Sequence, residues 1–266
     1  TDQVVAITVA QAGAMSTAQA AALSTNDIVA LETADFAALK TSVIANLSTN
    51  QIKALTTDQI VALSTAQANA LTSSQAAALT TDQVANMETA DVAALKTSVI
   101  AALNTSQIAA LTTNDISALS TAQVAALTTN EITGLTTDQI VAMSSAQFGA
   151  FNSAQFGALS TNNIAAIETA DIVGLKTSLI ATMTTNQFKA LTTDQVVALT
   201  SAQFGAISTN NIAAMTTDQI VAITTGQANA ISTAQAAALS TNDIVALETA
   251  DLASLKTSVI ANLSTN

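Results

Sequence analysis

The sequence has no Cys, His, Pro, Trp, Tyr or Arg, and only seven Gly and six Phe among 266 residues. Without His or Cys it offers no imidazole base, thiolate nucleophile or soft metal ligand. Its many Ser and Thr hydroxyls lack an adjacent base to activate them. We therefore predict that the protein is not an enzyme and has no catalytic, cofactor-binding or metal-binding residues.

The charge balance excludes two further classes of partner. A net charge of -12 with only six Lys disfavours nucleic acid, which requires clustered basic residues. Apolar runs never reach the roughly 18 residues of a membrane span, because Ser or Thr interrupts them every eighth residue. We expect no nucleic-acid partner and no membrane span.

The sequence consists of one eight-residue motif that is repeated without insertion. Residues 55–62 read Leu-Thr-Thr-Asp-Gln-Ile-Val-Ala, and the consensus is Leu, Ser/Thr, Thr, any residue, Gln/Asp, Ile/Val/Phe, any residue, Ala. We call this unit the octad and number its positions from the Leu. A fixed short period is typical of repeat architectures, in which each unit buries its apolar side against its neighbours.

Each octad also carries the signals that start a helix. Thr56 can cap a helix by accepting from the amide of Gln59, whose side chain can reach back to form a capping box. Leu55 and Ile60 are spaced as a hydrophobic staple around that cap. Because the next Ser/Thr starts another helix, each helix can span only about six or seven residues. This pattern predicts an all-α solenoid of short helices, one per octad.

A β-solenoid with Thr and Gln ladders is the alternative. Its turns would need Gly, Asn or Asp at a fixed position, but the seven Gly fall at irregular positions. Ala, which closes most octads, is also a poor strand former. The all-α solenoid is therefore favoured.

Four pairs of consecutive octads break the consensus in the same way. Glu replaces the capping residue in the first octad, Lys replaces it in the second, and the fifth position of the second becomes apolar. One interpretation is a solvated ion pair between the two octads, worth about 0–1 kcal/mol. The other is a lateral contact between strands of a filament, in which the charges set the register and the apolar residues supply buried area. The residues of this predicted lateral interface are Glu32, Lys40, Val43, Glu88, Lys96, Val99, Glu168, Lys176, Leu179, Glu248, Lys256 and Val259.

A second variation places Gly after Phe, at Phe148-Gly149, Phe156-Gly157 and Phe204-Gly205. We interpret these pairs as volume compensation in the core. An exposed adhesive patch of Phe side chains is the alternative.

A longer repeat is superimposed on the octad. Residues 1–50 and 217–266 are nearly identical, at an offset of 216 residues. We predict a single continuous octapeptide-repeat solenoid over residues 1–266, either a segment of a longer array or a unit that joins the next head to tail. Both arrangements give a fibre.

Residues 55–63, Leu-Thr-Thr-Asp-Gln-Ile-Val-Ala-Leu, and residues 119–127, Leu-Ser-Thr-Ala-Gln-Val-Ala-Ala-Leu, resemble octapeptide-repeat tracts of very large bacterial surface and secreted proteins. Such proteins are often labelled adhesins or haem-utilisation proteins. The resemblance implies an exported bacterial protein at the cell surface or outside the cell. It carries over no haem site, because His, Cys and Tyr are missing.

Three functions follow from this sequence. We expect first a structural protein of an extracellular filament, sheath or stalk, assembled by end-to-end self-association, with lateral packing of strands as a second mode. The second is a rigid spacer that holds the binding domain of a large adhesin away from the cell, near a cell surface or substratum. The third is recognition of ice or another surface by Thr arrays, which is weakened because most Thr are expected to cap helices.

Overall fold

The computed structural model describes residues 2–263 of the protein. Within that range every regular element is an α-helix of four to six residues, and no strand occurs. The prediction of an all-α solenoid with one short helix per octad is confirmed, and the β-solenoid alternative is wrong. The helices are slightly shorter than expected because the eighth residue often closes the helix as its C-cap.

The chain forms two compact units, Thr1–Ala142 and Met143–Asn266, and each is described by itself. The prediction of one continuous solenoid over residues 1–266 stays a prediction. The helices of the first unit are α1 (Asp2–Val5), α2 (Val9–Ala14), α3 (Thr17–Ala21), α4 (Thr25–Ala30), α5 (Thr33–Ala37), α6 (Thr41–Ile44), α7 (Thr49–Ala54), α8 (Thr57–Val61), α9 (Thr65–Ala70), α10 (Ser73–Ala78), α11 (Thr81–Ala85), α12 (Thr89–Ala94), α13 (Thr97–Ile100), α14 (Thr105–Ala110), α15 (Thr113–Ala118), α16 (Thr121–Ala126), α17 (Thr129–Ile132) and α18 (Thr137–Val141). Those of the second unit are α19 (Ser145–Phe148), α20 (Ser153–Gly157), α21 (Thr161–Ala166), α22 (Thr169–Ile172), α23 (Thr177–Thr182), α24 (Thr185–Lys189), α25 (Thr193–Ala198), α26 (Ser201–Gly205), α27 (Thr209–Ile212), α28 (Thr217–Val221), α29 (Thr225–Ala230), α30 (Thr233–Ala238), α31 (Thr241–Ala246), α32 (Thr249–Ser254) and α33 (Thr257–Ile260).

The corner between consecutive helices consists of two extended residues. At the junction of α7 and α8, Leu55 has φ -54° and ψ 140°, and Thr56 has φ -73° and ψ 158°. The Leu55 amide still donates to the carbonyl of Ile52, which closes α7, and Thr56 then caps α8. No residue in the described part of the chain has a positive φ, so the corners need neither Gly nor Pro.

The helices within each unit stack with a regular period. Helix α8 packs on α5 and on α11, the third helix before it and the third after it, and this relation recurs through both units. Side chains of α8 also reach the C-terminal end of α4, the fourth helix before it. A turn of the solenoid therefore takes between three and four octads.

The first and sixth positions of the octad form the core. The Leu of the first position and the Ile, Val, Phe or Ala of the sixth are buried in nearly every octad, while the third, fourth and seventh positions are mostly exposed. All six Phe are at most 1% exposed, so the core interpretation of Phe148 and Phe156 is confirmed and the adhesive patch is wrong. Volume compensation is not the reason for the Gly that follows Phe156, because a Cβ at Gly157 would meet nothing within 4 Å.

Close helix packing does require glycine at Gly134, which takes the place of the usual Ala at the eighth position. A Cβ there would lie 2.5 Å from the carbonyl oxygen of Thr105 and 2.8 Å from its Cα, on the stacked helix α14. A backbone neighbour at this distance can only move with its whole helix. Gly134 thus allows α14 and α17 to approach more closely than an Ala would.

We expect Gly134→Ala and Gly157→Ala to change stability in opposite directions. Gly134→Ala should destabilise the protein by about 1–3 kcal/mol through overpacking, whereas Gly157→Ala should stabilise it by about 0.5–1 kcal/mol because Ala loses less backbone entropy in a helix. Urea unfolding followed by circular dichroism measures both. Equal effects of the two substitutions would contradict the close approach of α14 and α17.

Candidate functional site

The fifth position of the octad holds the side chain with the most hydrogen bonds. Gln59, 1% exposed, accepts from the amide of Thr56 through Oε1 at 3.1 Å, and its own amide donates to Thr56 Oγ1 at 3.1 Å. This is the predicted capping box. Its Nε2 then donates to the carbonyl oxygens of Ile28 at 2.8 Å and Leu31 at 3.0 Å, at the end of α4.

The two carbonyls that Nε2 reaches lie at the end of α4. That of Ile28 also accepts from the Leu31 amide at 3.3 Å, whereas Leu31 is the C-cap, beyond the last helical residue, where carbonyls have no partner within the helix. A buried carbonyl without a partner costs about 1–3 kcal/mol. One Gln side chain therefore satisfies the start of its own helix and the end of a helix one turn earlier. We call this series of contacts the amide ladder.

The amide ladder recurs throughout both units. In each case Nε2 donates to a carbonyl 28 residues earlier and to another 30 or 31 residues earlier. The Gln residues that do so are Gln51, Gln59, Gln67, Gln75, Gln83, Gln107, Gln123 and Gln139 in the first unit, and Gln187, Gln195, Gln203, Gln219, Gln227 and Gln235 in the second.

The octad pattern predicts the capping box but does not predict this second role of Gln. A signal was available, because a capping box needs only an acceptor, and Asp or Glu would supply one. The preference for Gln over Asp points to a donor that is also needed.

Where the fifth residue is shorter, it makes a different contact across the turn. Asp115 accepts from the hydroxyl of Thr89 at 2.7 Å, and Asp171 accepts from that of Ser145 at 2.5 Å, in both cases 26 residues earlier. Asn211 keeps one rung of the ladder by donating to the carbonyl of Met183 at 2.9 Å. These pairs use the third-position hydroxyl, which does not cap a helix.

The predicted lateral interface divides into two groups of residues in the structure. The eight charged residues are exposed, none of them makes a side-chain cap hydrogen bond, and within residues 2–263 none of the four Glu/Lys pairs closes an ion pair. The intramolecular ion pair is therefore not formed. These residues are Glu32, Lys40, Glu88, Lys96, Glu168, Lys176, Glu248 and Lys256.

The four apolar members are buried in the solenoid itself. Val43, Val99, Leu179 and Val259 are each 1% exposed, because they occupy the fifth position, which faces the previous turn. They cannot supply area to a lateral contact, and this part of the prediction is corrected. A lateral role for the charged residues stays a prediction.

Lys176, in one of these four octads, replaces a missing hydrogen-bond donor. A Gln at position 179 would donate to the carbonyl of Phe151, 28 residues earlier, but Leu179 has no donor. Lys176 Nζ donates to that carbonyl at 3.4 Å. The change from Gln to Leu is thus accompanied by a Lys that supplies the missing donor, at the more exposed second position.

Asp91 is a buried acid with an unsatisfied atom. It is 1% exposed, and its Oδ2 has no hydrogen-bond partner. Burial, with a smaller contribution from the charge of Glu88, raises the pKa of Asp91 from 3.8 to about 6. The same two causes raise the pKa of Asp251, whereas a hydrogen bond from Ser24 lowers the pKa of Asp27.

The chemistry of this arrangement is structural. Among residues 2–263 no group of three or more acidic side chains is placed to hold a metal ion. Every helix in that range is too short to traverse a lipid bilayer. Short capped helices joined turn to turn by buried side chains define a helical solenoid repeat protein.

The comparison with protein families agrees with this class. The model of the ALTTAQ repeat matches residues 28–65, 60–88, 84–121, 112–145, 134–161 and 164–201, which together make up more than half of the chain. The chain therefore belongs to the ALTTAQ repeat family. No curated protein matches it. The family match supports the predicted repeat tract, and the resemblance to giant surface proteins stays a proposal.

We expect the amide ladder to contribute more than the helix cap. Gln59→Ala should destabilise the first unit by about 3 kcal/mol, because it leaves the carbonyl acceptors at the end of α4 with one partner fewer or none. Thr56→Ala, which removes only the cap, should cost about 1 kcal/mol. Urea unfolding of both variants tests this, and similar losses would show that the bonds between turns contribute little.

Asp91 should make the protein less stable as the pH rises. A raised pKa in the folded state means that the folded chain holds the proton more tightly, so this contribution is complete below pH 3.8 and is lost as the pH rises through about 6. Asp91→Asn should remove that loss, and Asp58→Asn, at an exposed fourth position, is the control. Urea midpoints of both variants, measured across this pH range, test the assignment. It would be contradicted if Asp91→Asn and Asp58→Asn showed the same dependence of stability on pH.

Proposed function

We propose that this structural repeat protein belongs to an extracellular filament, sheath or stalk of a bacterium. The single observation that carries the proposal is that its buried polar side chains hold the solenoid together. The fifth-position Gln residues bond to the backbone of their own helix and of an earlier turn. We infer on this basis that the protein is not an enzyme and works by its shape and length.

Extension end to end follows from the same contacts. The acceptors of the amide ladder are backbone carbonyls, which every octad has, and the donors are the Gln side chains of most octads. Successive repeats can therefore join by the contact that already joins turns within a unit, and association of this head-to-tail kind yields fibres when it does not close.

A rigid spacer within a larger surface protein is the second candidate. Its support is the outer surface, where the exposed third position is mostly Thr or Ser. The large apolar residues left exposed in the described chain are Val and one Ile, and four of them, Val173, Val197, Val221 and Val245, lie at the seventh position of the octads that form the stacked helices α22, α25, α28 and α31. The spacer requires that this row of Val is too small to drive self-association.

Recognition of ice or another surface by Thr arrays also stays a prediction. Helix capping does not occupy most Thr as expected, because only the second-position hydroxyls cap helices. The third-position Thr, such as Thr57 and Thr81 on the stacked helices α8 and α11, are exposed. A measurement of thermal hysteresis tests this alternative.

We expect the purified chain to form fibres visible by negative-stain microscopy. Replacement of Lys40, Lys96, Lys176 and Lys256 by Glu should separate laterally associated strands, because the charges that would set the register are reversed. It also removes the hydrogen bond from Lys176 to the carbonyl of Phe151, so Lys176→Glu alone is a control for that local loss. Replacement of Lys53 and Lys189, which lie outside the Glu/Lys pairs, is the matched control.

Isolated particles at every concentration, confirmed by sedimentation velocity, would contradict the filament and favour the spacer. Bundled fibres that persist in the fourfold variant would refute the lateral role of the Glu/Lys pairs.

A further inference from the structure

Glu131 is the single Glu at the fifth position of an octad in this sequence. It lies in α17 and is 1% exposed. Its Oε2 accepts from the amide of Thr128, and its own amide donates to Thr128 Oγ1 at 3.3 Å. Glu131 therefore completes the same capping box that Gln completes elsewhere.

The other carboxyl oxygen occupies the place of a donor. In the octads before and after, Gln123 and Gln139 use Nε2 to donate to carbonyls 31 and 28 residues earlier. The same register directs Glu131 Oε1 towards the carbonyls of Ile100 and Leu103. This oxygen is buried and has no hydrogen-bond partner.

An ionised carboxylate is chemically unsuited to this position. It can only accept hydrogen bonds, and the groups opposite it are carbonyl oxygens, which also only accept. Leaving such a group buried and unpaired is costly. A protonated carboxyl has the shape of the Gln amide and presents one O–H donor, so it can restore one rung of the ladder.

The surrounding charges offer no other partner within the first unit. Helix α14, which packs on α17, carries no titratable residue. Lys96 lies at the start of α13, which ends at Ile100, and Asp138 lies on the following helix α18. Burial raises the pKa of Glu131, hydrogen bonds from Thr128 oppose this shift, and no neighbouring charge contributes to it.

We propose that Glu131 in its protonated form donates to the carbonyl of Ile100 or Leu103, which makes this turn of the solenoid a pH-sensitive switch. Loss of the proton replaces a hydrogen bond by repulsion between oxygens. The turn that contains α13 and α17 is then weakened, while turns held by Gln are unaffected.

The direction of the effect follows from linkage. Because the pKa of Glu131 is higher in the folded than in the unfolded chain, its contribution to stability is complete below the unfolded pKa and is lost as the pH rises through the folded one. The turn that contains α13 and α17 is therefore less stable at pH values above the folded-state pKa of Glu131.

Two exchanges between Glu and Gln test the proposal on the full chain. In Glu131→Gln the urea midpoint should fall less than in the wild type as the pH rises from about 4 to about 8. Gln139→Glu should introduce an additional fall, because it places a second carboxyl in the same environment. The slope that remains in Glu131→Gln belongs to other buried acids such as Asp91.

The protonation state can also be read directly. The side-chain carboxyl carbon of Glu131, followed by NMR, should titrate at a higher pH in the folded protein than in the urea-unfolded chain. Titration at the same pH in both states would overturn the proposal, as would an unchanged slope in Glu131→Gln. A midpoint that depends on Na⁺ or K⁺ in the wild type but not in Glu131→Gln would also overturn it, since a bound cation would then replace the proton.

Discussion

The buried Gln amide is the interaction on which this solenoid depends. A helix of four to six residues consists almost entirely of ends, and both ends carry backbone groups with no partner inside the helix. The Gln side chain supplies an acceptor to the start of one helix and a donor to the end of another. Such short helices are unstable alone and become stable only through these contacts and the apolar core between them.

The departures from Gln show how strongly this requirement acts. When the side chain is shortened to Asp, it can accept from a hydroxyl one turn away, as Asp115 does from Thr89 and Asp171 from Ser145. When it becomes apolar at Leu179, Lys176 reaches the orphaned carbonyl from a neighbouring position. Asp91 and Glu131 keep an unsatisfied oxygen, and both have a raised pKa because of burial. The bonds between turns are therefore replaced in some of these octads and lost in others.

The fold was predictable from the sequence because its signals are local. The staple of Leu55 and Ile60 and the box of Thr56 and Gln59 lie within one octad, and they repeat often enough to exclude chance. The contacts between turns were not predictable, because their 28- and 31-residue spacing depends on the angle at each corner, which the octad does not encode. For the same reason Val43 was assigned to the surface: its place opposite the preceding turn follows only from the stacking.

The use of backbone carbonyls as acceptors has a consequence for how such a chain can change its length. A carbonyl has no sequence identity, so insertion or deletion of a whole octad gives every Gln a new but chemically identical partner. The register is fixed where two side chains recognise each other, as at Thr89 with Asp115 and Ser145 with Asp171, or where a Gly admits a close helix, as Gly134 does opposite Thr105. Duplication of whole octads is thus structurally neutral over most of the chain and is penalised only where it separates these matched residues.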